Sequence, residues 1–160
     1  MLHRLAQFAG AGRRPAARDF AFARESLAPE LYDLFAAQHP RDIVHAAECA
    51  RWLMNRGVSN EELIMAALLH DIAKGRQRRW DRTAAVLAGG LNLSEAAGDA
   101  HSHFELRRAV QRTLDHSREG ARRLQSAGAP ARVVELTRLH HASPEREGML
   151  SLLQQADAAT

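Results

Sequence analysis

Prolines and glycines cut this chain into segments of helical length, and no segment between them alternates polar and apolar residues as a strand does. Pro29 stands just ahead of ELYDLFAAQ, and a proline at a first helical position gives up no hydrogen bond. Pro40 opens RDIVHAAECARWLMNRG, which Gly57 closes. Ser59 and Glu62 form an S-x-x-E capping box ahead of EELIMAALLHDIAK, closed by Gly75. The basic connection GRQRRWDR leads into a short helix, TAAVLAG, and the stretch from Gly89-Gly90 to Gly98 reads as loop. A helix is expected from about Phe104 to His116, then REGARRLQSAG, which Gly128 closes. Pro130 opens ARVVELTRLHH, and a last helix is GMLSLLQQADA. The pattern predicts an all-α bundle of about seven helices joined by short turns. Residues 1–25, with AGAGRRPAAR, are expected to be a flexible basic segment ahead of one domain over 26–160.

Composition agrees. Ala, Leu, Arg and Glu dominate and favour helix, while aromatics are only 5%. At 160 residues the chain can bury a core. No apolar run approaches the roughly 18 residues of a membrane span, and no signal-peptide core is visible. Cys49 is the only cysteine, so no intrachain disulfide can form and a reducing cytoplasm is the simplest compartment. The pI of 9.9 points at first to nucleic acid. However, Arg4, Arg13, Arg14 and Arg18 lie in a start without acids, which leaves the rest of the chain near neutral. Nucleic acid is therefore not the expected partner. The Ala-rich helices leave a homodimer as open as a monomer.

The chemistry sits in a few side chains. His70 and Asp71 are adjacent in LIMAALLHDIAKG, His45 precedes them by 25 residues, and Asp157 lies in the last helix. Neighbours on a helix are about 100° apart, so both can border one cavity. A bend at the helix end can turn both inward. His45 lies between Ile43-Val44 and Ala46-Ala47, which faces it inward, and Asp157 lies beside the apolar face made by Leu152, Leu153 and Ala156. A buried imidazole or carboxylate needs a partner, and imidazole with carboxylate suits divalent iron, manganese, zinc, nickel, cobalt or magnesium. Lys74 is the one lysine among 22 basic residues and follows His70 by one turn.

The order H…HD…D resembles the HD-domain superfamily of metal-dependent phosphohydrolases. The resemblance extends to HSREGARRL from His116, to VVELTRLHH ending at His140-His141, and to QQADA with Asp157, over roughly residues 30–158. In style it is nearest to small stand-alone bacterial members. It implies the HD-domain helical bundle and an enzyme that hydrolyses a phosphomonoester or phosphodiester, nucleotides being the favoured substrates. One or two divalent metal ions would serve as cofactor. It further implies that His45, His70, Asp71 and Asp157 hold a first metal. Asp71 would bridge to a second metal held by His116 and His140, with His141 as an additional ligand. Lys74 would contact phosphate and act with Asp71 in catalysis, and Arg78 and Arg79 would bind substrate. Ala73 stands where the family often has glycine, and the GYP extension of cyclic-dinucleotide phosphodiesterases is absent. His101 and His103 fall in an expected loop near the site. A di-iron oxygenase and a non-catalytic, metal-stabilised nucleotide-binding domain are the competing readings.

Overall fold

The structure is a computed structural model and describes residues 14–74, 115–142 and 148–160. Among these residues lie α1 (Ala17–Ser26), α2 (Pro29–Ala36), α3 (Pro40–Met54), α4 (Glu61–Leu69), α5 (115–126), α6 (Ala131–Leu139) and α7 (Met149–Ala159), with no strand. No helix of the described residues is long and apolar enough to cross a membrane.

Helix α4 is the centre of the bundle because its sequence leaves it no polar face. Leu63, Ile64, Ala66, Ala67, Leu68 and Leu69 are all buried, and a helix that is apolar all round belongs inside. It packs against α1, α2, α3, α6 and α7. Asn60 caps its start, the side-chain Oδ1 accepting from the Leu63 N–H at 2.9 Å. The expected box on Ser59 and Glu62 is thus displaced by one residue. Asparagine ranks with serine as a cap, and here it takes the position.

Helix α3 turns Ile43, Ala46, Ala47, Ala50 and Leu53 inward. The alanines leave room for it to lie close to both α4 and α7. Gly57 ends it at φ 81°, the left-handed conformation that a side chain resists, and the Val58 N–H returns to the Leu53 carbonyl at 3.2 Å.

Residues 17–25 correct the expectation of a loose start. They belong to α1, on which Phe20 and Ala23 line one side, continued by Leu27 just past its end. Ala23 and Leu27 are buried, and Phe20 meets Phe35 edge-on with ring centroids 6.4 Å apart. The glycines and Pro15 just upstream hid this amphipathic stretch. Asp19 fastens it: Oδ2 accepts from the Ala16 N–H at 2.7 Å, and Oδ1 pairs with Arg51 Nη2 at 2.5 Å. The Asp19 side chain is 6% exposed and that of Arg51 is 32%. Arg51→Ala strands a buried carboxylate. It is expected to cost about 2 kcal/mol, below the ~3–5 kcal/mol of a fully buried pair because Arg51 is partly solvated. A urea midpoint unchanged from wild type would contradict this.

Candidate metal centre

Two helices deliver a histidine to the same point by the same local device. His70 is the C-cap of α4 and His140 the C-cap of α6. In each, the ring Nδ1 donates back to the carbonyl three residues earlier. For His70 this is Ala67 O at 3.0 Å, and for His140 it is Thr137 O at 2.6 Å. The last carbonyls of a helix lack intrahelical donors, and a carbonyl can only accept, so Nδ1 carries the proton. The Nε2 lone pair of both rings is then free and aimed inward. Each ring is pinned by this bond, as metal-ligating histidines are.

Beyond Leu69 the backbone tightens. The Ile72 N–H reaches Leu69 O at 3.3 Å and the Lys74 N–H reaches Asp71 O at 2.9 Å. This turn brings Asp71 to the same side as His70. The Asp71 side chain is 1% exposed and lies between two sets of imidazoles. Its Oδ2 is 3.5 Å from His70 Nε2 and 3.9 Å from His45 Nε2. Its Oδ1 is 3.5 Å from His116 Nε2 and 3.7 Å from His140 Nε2. Asp157, carried by α7, places Oδ1 at 3.0 Å from His45 Nε2 and 3.7 Å from His70 Nε2. His141 Nε2 lies 3.0 Å from His116 Nε2.

The geometry suits a cation. Most of these separations exceed hydrogen-bond length but match two ligand atoms sharing a metal. His70 Nε2, His140 Nε2 and Asp71 Oδ1 are buried with no hydrogen-bond partner, a costly state that a bound cation relieves. The donors divide into one group of His45, Cys49, His70 and Asp157 and another of Asp71, His116, His140 and His141. Every one is an N, O or S donor of the kind divalent transition metals take.

Burial works against charge throughout the centre. For Asp71 it is outweighed by His70, by Lys74 and by the nearby rings of His116 and His140, which hold the carboxyl well below the usual range. For Asp157 the same burial is outweighed by His45 and His70, again well below the usual range. Burial also opposes a proton on His70, but Asp71 and Asp157 beside it raise its pKa. His140 goes the other way, lowered chiefly by burial. Burial and the neighbouring His140 and His141–His116 contacts lower His141 to about 3.

All seven residues expected as metal ligands meet here. Lys74 also arrives, its ammonium resting on Asp71 Oδ2. His116 is not at the end of a helix that stops before REGARRL, as expected; it lies within α5, which runs unbroken through 115–126. Arg78, Arg79, His101 and His103 lie outside the described residues. Cys49, the single cysteine, joins the centre. It lies one turn after His45 on α3, with Sγ 3.7 Å from His45 Nε2. The spacing H-x3-C was the available signal. Burial pushes its thiol up to about 11.

Gly120, one turn after His116 on α5, faces Thr137, Ala73 and Ile72. A Cβ there would meet Thr137 Cγ2 at 3.5 Å and Ala73 Cβ and Ile72 Cγ1 at 3.7 Å, ordinary contact. Gly120→Ala is therefore expected to be tolerated, with a helix-propensity gain of up to about 1 kcal/mol. Gly120→Leu overpacks the junction at a cost of roughly 1–3 kcal/mol and displaces His116. Thermal melts of both variants check this; equal melting temperatures would contradict it.

The sequence model of the HD domain family matches residues 37–159. No curated protein and no solved structure matches the chain. The matched span runs from just before α3 to the last residue of α7 and takes in every side chain of the centre. The chain therefore belongs to the HD-domain superfamily, whose members are generally metal-dependent phosphohydrolases.

Proposed function

We propose that this protein is a phosphohydrolase that cleaves a phosphomonoester or phosphodiester, with a nucleotide as the favoured substrate class, at a centre of two divalent metal ions. The observation that carries the reading is Asp71. It is a buried carboxylate whose two oxygens face separate sets of imidazoles, with three buried donors there lacking partners. His45, His70, Asp157 and Asp71 Oδ2 would hold one ion. His116, His140, His141 and Asp71 Oδ1 would hold the other.

Such a pair supplies a hydroxide nucleophile near neutral pH and polarises the phosphoryl oxygens. The protein supplies the rest. Asp71 fixes the separation of the two halves. The Ala67 and Thr137 carbonyls hold His70 and His140 in the ligating tautomer. Lys74, at the edge of the centre beside Asp71, offers a cation to the charge that develops on the transferring phosphoryl group. Arg78 and Arg79 remain proposed contacts to the substrate phosphates.

The test is hydrolysis of aryl phosphomonoesters, aryl phosphodiesters and a nucleotide panel by metal-loaded protein without oxygen. Turnover of any of these supports the reading. No turnover of any of them, with oxygen consumed by iron-loaded protein instead, would replace it by the di-iron oxygenase, which the imidazole-rich donor set also suits.

The pH dependence of metal affinity follows from the charge states. Asp71 and Asp157 stay ionised far into acid because their pKa values are lowered. His70 is raised above its ordinary 6.5, so it takes up a proton before the carboxylates do as pH falls and must lose that proton to bind metal. Metal affinity is therefore expected to fall on acidification through the histidine range, before the carboxylates titrate. Titrations between neutral pH and the carboxylate range check this. Affinity that held until the carboxylate range would contradict it.

A further inference from the structure

We infer that Cys49 is a ligand of this centre, its sulfur joining His45, His70 and Asp157 in the half that faces Asp71 Oδ2. The inference rests on the proposed metal reading and adds to it a soft donor that makes the two halves chemically unequal. Cys49 is 0% exposed, and its ligand atom lies with those of the other three in a group whose members are all within 4.8 Å of one another. Bonds of about 2.0–2.3 Å at four- or five-coordinate angles place neighbouring ligand atoms roughly 2.9–3.7 Å apart. The pairs here are close to that: Cys49 Sγ to His45 Nε2 at 3.7 Å, His70 Nε2 to Asp157 Oδ1 at 3.7 Å, and His45 Nε2 to Asp157 Oδ1 at 3.0 Å. Independently of the sulfur, the wholly buried His70 Nε2 is aimed into the same group without a hydrogen-bond partner.

A buried cysteine is often no more than a small apolar side chain, and the surroundings of Cys49 distinguish it from that. Its sulfur is 3.0 Å from Thr160 Oγ1, which also donates to Ala156 O at 3.1 Å and lies 3.3 Å from His45 Nδ1. A hydroxyl both donates and accepts. Thr160 can accept from the thiol, and it can turn to donate to a thiolate once the S–H proton has left. Metal uptake then forms one sulfur–metal bond and releases that proton to solvent. Among the described residues, the half around Asp71 Oδ1 has only imidazole beside the shared carboxylate. A thiolate favours zinc and cadmium, and the imidazole-carboxylate half accepts harder ions such as manganese.

X-ray absorption of wild-type protein loaded with two equivalents of zinc tests this without any substitution. The expected result is a sulfur scatterer at about 2.3 Å beside nitrogen and oxygen at about 2.0–2.1 Å. In Cys49→Ser, checked for wild-type circular dichroism, the sulfur shell disappears. Its cadmium affinity falls by at least the roughly tenfold that even an outer-shell partner carries, while manganese affinity holds. Bound zinc with a shell of nitrogen and oxygen alone overturns the Cys49 assignment and leaves the metal centre standing. No zinc uptake at all overturns both.

Discussion

Asp71→Ala is expected to reduce phosphoester turnover to background and to strip the protein of both metals. Among the described residues no other side chain of the centre faces both halves: Oδ2 is turned to His70 and His45, and Oδ1 to His116 and His140. The substitution also acts on the metal-free fold. His70 is fully buried and holds its proton more tightly because Asp71 is beside it, and Lys74 rests on the same carboxylate with its side chain 10% exposed. Removing Asp71 takes the counter-charge from Lys74 and leaves His70 with Asp157 alone, at a cost of about 3 kcal/mol. Asp71→Asn keeps the volume and loses the charge, so it should match the alanine variant in metal content. If Asp71→Asn kept full metal content and turnover, Asp71 would not be the bridging charge.

Chelation is expected to lower the melting temperature by about 8 °C or more. An ion held a thousandfold above its dissociation constant stabilises the folded state by about 4 kcal/mol. For a chain of this length each kcal/mol is worth roughly 2–4 °C. The reason lies in the apo centre, where His70 Nε2, His140 Nε2 and Asp71 Oδ1 are buried without partners and imidazole rings crowd together, His140 and His141 with centroids 3.8 Å apart. A melting temperature indifferent to chelator and to added zinc or manganese would mean that these groups are satisfied without metal.

The architecture was largely legible because the helix boundaries are written in local chemistry. Pro29 and Pro40 sit at helix starts, and Gly57 takes the left-handed turn after α3. Two local readings failed where neighbouring signals competed. The glycines and Pro15 masked α1, whose stability comes from Phe20 on Phe35 and Asp19 on Arg51, contacts between segments that are distant in sequence. Ser59 and Asn60 are both good caps, and the one-residue choice between them is settled by the register that buries Leu63 and Ile64. The candidate ligand set could be named from its resemblance to the HD domain. The sharing of Asp71 between two sets of imidazoles was implied by the same resemblance; no spacing alone gives it, since it depends on where α5 and α6 pack against the end of α4. Cys49 differs: a single cysteine speaks first to redox state, and only its position one turn from His45 on α3 points to the centre.

The most direct test of a shared, two-metal centre is elemental mass spectrometry on purified protein saturated with a divalent metal and freed of excess. Two equivalents per chain in wild type, one in His140→Ala and none bound tightly in Asp71→Ala is the result expected. Wild-type protein that holds no metal and takes none up would contradict the account at its centre.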